Sequence, residues 1–193
     1  LSLTYPGGRA LTYAYDAGGS CTNIAESGTS LASFSYDGVE RLARVTYGNG
    51  LLSTFEYDGL DGVQNAPGDH GFGQISRLVH ASTNGTTIKI SHLSWDLKEN
   101  KKTRTMPPTG TGVSTNVLTL EYDLADRLVR SAVTEGTTTL RDTTYSLDRM
   151  GNRTNVTGAA CSGPYTLDPA SPPADYQMNQ YTATPCDSRA YDD

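Results

Sequence analysis

The sequence is poor in what membrane-spanning and most catalytic proteins need. Hydrophobic residues occupy 36% of the 193 positions, and three of the positions are histidine. No apolar run approaches the ~20 residues a membrane-spanning helix requires. Residues 1–5, Leu-Ser-Leu-Thr-Tyr, lack the basic start and long apolar stretch of a secretory leader. Apolar residues nowhere recur at helical spacing, which argues against amphipathic helices. Positive charge is scarce too, since 15 Lys and Arg stand against 21 Asp and Glu for a net charge of −6. No basic field exists to attract a phosphate backbone, so nucleic acid is not an expected partner. The one basic cluster, Lys98, Lys101, Lys102 and Arg104 beside Glu99, reads as a solvated strand face.

Cysteine is equally sparse. Cys21, Cys161 and Cys186 are an odd count that defines no disulfide framework. Cys161 and Cys186 flank one irregular segment; they could bridge, worth ~3 kcal/mol, or remain thiols. None has zinc-ligand spacing, and no metal or other cofactor is expected. His70, His80 and His92 have no surrounding motif that would activate a nucleophile. The local acid–histidine pair Asp69-His70 reads as part of an outward excursion of the chain, because a dyad without convergent partners makes no catalytic centre. No enzymatic activity is expected.

What the chain does have is glycine (20), tyrosine (12) and abundant threonine, the composition of short strands joined by tight turns. The expected class is all-β, built of consecutive antiparallel hairpins. A repeat supports this. Aspartate closes a motif at Asp16, Asp37, Asp58, Asp96, Asp123, Asp148 and Asp192, at gaps of 21, 21, 38, 27, 25 and 44 residues. An aromatic residue precedes it at Tyr15, Tyr36, Tyr57, Trp95 and Tyr122, and Tyr145 stands close before Asp148. Arg-Leu follows by four residues at Arg41-Leu42 and Arg127-Leu128, but by nineteen at Arg77-Leu78. That offset implies fifteen extra residues and places an insertion at 59–76. The last clear copy carries Gly151-Asn152-Arg153.

The cleanest hairpin runs from Arg41 to Tyr47, turns at Asn49-Gly50 and returns from Leu51 to Tyr57-Asp58. Further turns fall at Gly8, Gly28, Asn84-Gly85 and Gly136. An Asn-Gly pair suits a type I′ turn, which needs positive φ at both central residues. Alternate residues share a strand face, so the tyrosines are expected to stack into a ladder, while each aspartate sits in the turn and caps backbone N–H groups. The stretch 158–175 holds Pro164, Pro169, Pro172 and Pro173 and reads as an irregular loop, since proline cannot serve in a central strand. Asn84-Gly85-Thr86, Asn152-Arg153-Thr154 and Asn155-Val156-Thr157 match the glycosylation acceptor pattern, a frequent chance match in so threonine-rich a chain.

Tyr13-x-Tyr15-Asp16-x-Gly18-Gly19, Tyr36-Asp37-x-x-x-Arg41-Leu42, Tyr122-Asp123-x-x-x-Arg127-Leu128 and Asp148-x-x-Gly151-Asn152-Arg153 resemble the YD repeats of the RHS family, and the resemblance covers nearly the whole chain. It implies antiparallel strands coiling as one continuous ribbon, the wall of a hollow shell. In that family the shell encloses a toxic C-terminal domain in bacterial polymorphic toxins and insecticidal toxin complexes, and a counterpart forms part of adhesion receptors. Self-cleavage is not carried over, because Asp168-Pro169 lacks the expected Gly-Leu. The expectation is a single array of about seven or eight hairpins over 1–193, a segment of a longer secreted or cell-surface protein, bacterial by the resemblance. Its partners would be neighbouring repeats or further copies meeting at open strand edges, and an enclosed toxin domain. The alternative is a carbohydrate or cell-surface binding module that uses the tyrosines as stacking platforms for glycans.

Overall fold

The computed structural model describes residues 1–38, 41–58, 71–110, 112, 114–167 and 181–189. Asp69-His70, Asp168-Pro169, Pro172, Pro173 and Asp192 lie outside the described residues. Sixteen strands and no helix are found among those described. The first eight strands are β1 (Ser2–Thr4), β2 (Ala10–Tyr15), β3 (Cys21–Glu26), β4 (Thr29–Asp37), β5 (Arg41–Tyr47), β6 (Leu51–Tyr57), β7 (Ile75–Ser82) and β8 (Thr87–Trp95). The remaining eight are β9 (Lys101–Met106), β10 (Asn116–Tyr122), β11 (Leu128–Glu135), β12 (Thr138–Leu147), β13 (Arg153–Thr157), β14 (Gly163–Pro164), β15 (Thr166–Leu167) and β16 (Tyr181–Ala183). Strands β1 to β14 form one antiparallel sheet in chain order, and β15 pairs with β16 in a second sheet. Each strand thus finds its partner next in sequence, a topology of purely local pairings.

Two compact units divide the chain, Leu1–Ser94 with Met106–Val113, and Trp95–Thr105 with Ser114–Asp193. Among the described residues neither has the thick apolar interior of a sandwich. In the first unit the buried apolar residues are Leu11, Ala25, Val45 and Ala81, joined by Ser53 and Ser91. In the second they are Ala132, Val156 and Tyr181, joined by Ser131, Thr143 and Asn152. Small side chains of this kind contribute little transfer energy. The ladder hydrogen bonds and the turns therefore carry much of the cohesion, as in repeat proteins whose units lean on their neighbours.

A β-bulge recurs at a fixed place. Register slips between Ala14 and Tyr15, Ser35 and Tyr36, Glu56 and Tyr57, Glu121 and Tyr122, and Ser146 and Leu147. In each case the slip falls just before the residue that leads into the aspartate. An extra residue on one strand bends it and raises local twist. Five such bulges recur at equivalent positions in the repeat.

Several turns differ from the sequence reading. Asn49 and Asn84 do not adopt positive φ; only Gly50 and Gly85 do. The loops are three residues long, with Gly50 N–H bonded to the Tyr47 carbonyl at 3.0 Å and Gly85 N–H to that of Ser82 at 2.9 Å. The asparagines act through their side chains, Asn49 Oδ1 accepting from Leu51 N–H at 3.2 Å and Asn84 Oδ1 from Thr86 N–H at 3.0 Å. A type I turn followed by a left-handed residue, not type I′, is what a three-residue hairpin loop selects. The two-residue loop with positive φ at both positions is Ser27-Gly28. Gly136 takes the first central position of a two-residue turn between Glu135 and Thr138, and Gly8 closes the loop whose Tyr5 carbonyl accepts its N–H at 3.1 Å.

The stretch expected to be irregular is partly ordered. Pro164 lies on β14, the last strand of the sheet, paired with Asn155. An edge strand is where proline's missing donor costs nothing.

The tyrosine–aspartate corner as candidate functional site

Why aspartate recurs becomes plain from the loop geometry. At Asp16, Asp96, Asp123 and Asp148 the backbone closes identically. The aspartate N–H donates to the carbonyl four residues on, and its own carbonyl accepts from the residue three on, at 2.9–3.2 Å. That third residue has positive φ in all four corners: Gly19, Glu99, Asp126 and Gly151. The carboxylate completes the loop. One oxygen, Oδ1, accepts two backbone N–H groups, from Gly18 and Ser20, Lys98 and Asn100, Ala125 and Arg127, or Met150 and Asn152, all at 2.8–3.0 Å. Only a short side chain ending in an acceptor reaches both donors.

The second carboxylate oxygen accounts for the residue type four positions after the aspartate. In three corners Oδ2 accepts from that side chain: Asn100 Nδ2 at 3.2 Å, Arg127 Nε at 2.7 Å and Asn152 Nδ2 at 2.8 Å. The Arg of Arg-Leu and the Asn of Gly-Asn-Arg are thus two solutions to one requirement, a side-chain donor at that distance. Leu42 and Leu128 come next on the strand, opposite Tyr36 and Tyr122. These contacts hold the carboxylates ionised. Arg127 is the main cause at Asp123, which titrates below the ordinary range. At Asp96 and Asp148 burial pushes upward, but donors from Asn100 and Lys98, and from Asn152 and Met150, outweigh it and the net shift is down. Asn152 is 2% exposed with its amide on Asp148, so it offers no accessible glycosylation site.

Two corners vary the scheme. Asp37 pairs with Arg41 across the turn, their charged groups 3.7 Å apart, and Gly38 carries the positive φ. Asp58 is buried, its N–H bonded to the Gln74 carbonyl and its carbonyl accepting from Gly73, both at 2.8 Å, with Gly73 at positive φ. Gln74, sixteen residues on, therefore takes the place of the residue four on. Arg77 does not: it lies further along β7 opposite Glu56 and pairs with it. The excess is twelve residues, not fifteen, and 71–76 belong to the corner and to β7. The sequence pattern pointed to Arg77, and backbone pairing puts Gln74 there instead.

The tyrosines form a ladder through their hydroxyl groups. Tyr36 donates to the Cys21 carbonyl at 2.7 Å, Tyr57 to Leu42 at 2.9 Å and Tyr122 to Lys101 at 3.0 Å. Each acceptor is the fifth residue after the preceding aspartate, so each tyrosine ties its own corner to the one before. Burial raises the pKa of all three phenols, which keeps them protonated donors. Trp95 occupies the equivalent place before Asp96, with Lys101 Nζ 5.8 Å from its ring. Tyr15 is 48% exposed at the first corner. Tyr145 is not in this position: Leu147 is, and Tyr145 lies two residues earlier with the Arg153 guanidinium 5.1 Å over its ring. Tyr181 supplies the next rung, its hydroxyl accepting from Arg153 N–H at 2.6 Å while its ring meets Tyr165 edge-on at 5.0 Å.

Adjacent corners also touch directly. Lys98 Nζ donates to the Leu124 carbonyl at 2.7 Å and pairs with Asp126 at 3.0 Å, Asn100 reaches Asp126 at 2.9 Å, and Arg127 donates to the Asp148 carbonyl at 2.6 Å. Between corners, Arg130 on β11 joins Glu121 on β10 at 2.5 Å and Asp142 on β12 at 2.7 Å. Cys161 and Cys186 form a disulfide, their Cα atoms 5.5 Å apart, and Cys21 is a free thiol.

A ribbon of antiparallel hairpins pinned corner to corner is an all-β repeat fold of the RHS/YD-repeat kind. No family model matches the chain, and no curated protein matches it in sequence. Solved structures do. The Photorhabdus luminescens Tc holotoxin pore with a TccC3 substitution aligns with 86% of this chain at TM-score 0.64 and 15% identity. The TcdB2-TccC3-Cdc42 crystal structure aligns with 89% at 0.65 and 15%, and TcdB2-TccC3 without its hypervariable C-terminal region with 89% at 0.63 and 14%. The chain spans 9% of the length of those it matches.

Proposed function

We propose that this chain is wall material of a shell-forming, secreted bacterial repeat protein, its ribbon enclosing a toxic domain carried by the same longer chain. The supporting observation is the corner itself, since among the described residues the recurring aspartates, the donors four residues on and the tyrosines close a turn or tie it to the next. The carboxylates cap backbone N–H groups and the phenols bond carbonyls. Catalysis has no place in this reading. Ser53 Oγ lies 2.8 Å from His80 Nδ1 as a cross-strand pair, with Ser53 2% exposed. Glycan stacking is disfavoured because the Tyr36, Tyr57 and Tyr122 rings are half-buried and fixed between corners by their hydroxyls.

The test is electron microscopy and limited proteolysis of the full natural product. Closed hollow particles whose C-terminal region resists protease are expected. Open or filamentous particles, with that region digested as fast as the free domain, would refute enclosure.

A further inference from the structure

Asn-Gly is also the dipeptide in which asparagine most readily loses its side-chain amide, because glycine leaves its backbone nitrogen unshielded. It occurs twice, at Asn49-Gly50 and Asn84-Gly85, in loops of one geometry. In both the asparagine is exposed and the glycine has positive φ. In both the glycine N–H donates to the carbonyl three residues back, and the asparagine Oδ1 accepts from the N–H two residues on. Attack of the glycine nitrogen on the asparagine Cγ needs those bonds broken, so the rate follows how often each loop opens.

The two loops differ in what holds them from outside. The 48–50 loop is tied on both sides: Gly48 N–H donates to the Leu31 carbonyl at 2.8 Å, and the Gly50 carbonyl accepts from Thr83 N–H at 2.9 Å. Gly48 also lies so close to the preceding hairpin that a Cβ would overlap the Ser30 carbonyl oxygen. The 83–85 loop has the Thr83 tie alone. Gly85 is exposed, with nothing within 4 Å of the place of a Cβ, and its carbonyl meets no donor among the described residues.

We propose that Asn84 is a site of spontaneous deamidation in the folded chain, and that the same chemistry at Asn49 is held back by the hairpins on either side. The Gly85 nitrogen bonds to Asn84 Cγ, the bond from Cγ to Nδ2 breaks, and ammonia leaves with the Gly85 proton; water then opens the succinimide to aspartate or isoaspartate. Aspartate keeps an acceptor for Thr86 N–H. Isoaspartate lengthens the backbone by one carbon inside a three-residue loop and loosens the tip between β7 and β8. The enclosing role plays no part in this argument.

Peptide mapping by mass spectrometry during incubation in mildly alkaline buffer, with the chain folded and in urea, tests it. In urea the two sites should convert at similar rates. In the fold Asn84 should convert about thirtyfold faster than Asn49, since each of the two ties shifts an opening equilibrium about fivefold. Thr83→Pro removes the N–H bonded to Gly50 at a turn position that accepts proline, and should speed Asn49 conversion about fivefold; the wild-type comparison decides if that variant misfolds. Equal rates at the two sites in the fold, no conversion at Asn84, or an unchanged Asn49 rate in folded Thr83→Pro overturns the proposal.

Discussion

Replacing Asp148 with alanine removes three hydrogen bonds at once: Oδ1 to Met150 N–H at 2.9 Å, Oδ1 to Asn152 N–H at 2.8 Å and Oδ2 to Asn152 Nδ2 at 2.8 Å. Met150 is exposed, so water replaces its lost partner. Asn152 is 2% exposed, and its amide loses a charged acceptor where water reaches poorly. A hydrogen bond to a charged group contributes ~1.5–3 kcal/mol and a stranded buried donor costs ~1–3 kcal/mol, so Asp148→Ala should destabilise by about 3 kcal/mol. Asp148→Asn is the sharper probe. It keeps one acceptor oxygen but turns an amide toward the Asn152 amide, and should cost about half as much. The pH dependence has a definite sign. The Asp148 carboxyl titrates below its ordinary 3.8 in the fold, so its contribution is full above about pH 4 and fades as pH falls through the folded-state value. Urea denaturation of wild type and both variants, followed by far-UV circular dichroism between pH 7 and 2, measures this. A penalty under ~0.5 kcal/mol for Asp148→Ala, or one that stays constant down to pH 2, would refute the corner as described.

Three further outcomes are expected. Tyr57→Phe deletes the hydroxyl that reaches the Leu42 carbonyl at 2.9 Å and should cost about 1 kcal/mol, read in the same denaturation assay; the same substitution at Tyr47, which is 40% exposed, should be neutral. Gly158→Ala should cost several kcal/mol, roughly 3, because φ is +74° and a Cβ there would overlap the Asp142 carbonyl oxygen; Gly85→Ala, with nothing near, should show the φ penalty alone, about 1 kcal/mol. Reduction of the Cys161–Cys186 disulfide, which spans 25 residues, should lower stability by ~3 kcal/mol and accelerate proteolysis after β13, with hydrogen exchange at β2 to β6 unaffected.

Much of the fold is written locally, and that is why it was legible. Strands β5 and β6 lie where the alternating runs around Asn49-Gly50 place them, because each strand pairs with its neighbour in sequence. The aspartates read as turn formers since their chemistry acts within four residues. What stayed hidden depends on contacts between repeats. The tyrosines suggested stacked rings, and the structure joins them through hydroxyl to carbonyl bonds 15 or 21 residues apart. Tyr145 looked like the rung before Asp148, but Leu147 holds that place and Tyr145 lies under the Arg153 guanidinium. Asn-Gly suggested a two-residue turn, whereas loop length, set by strand pairing, made it three.

By itself, then, the sequence determines the period, the all-β class and the residues that close each corner, because those choices are settled by turn chemistry within a few bonds. The tertiary structure alone decides how the rungs are joined and that Gln74 rather than Arg77 resumes the interrupted corner. Those are consequences of register, and register is a relation between strands that no single strand encodes.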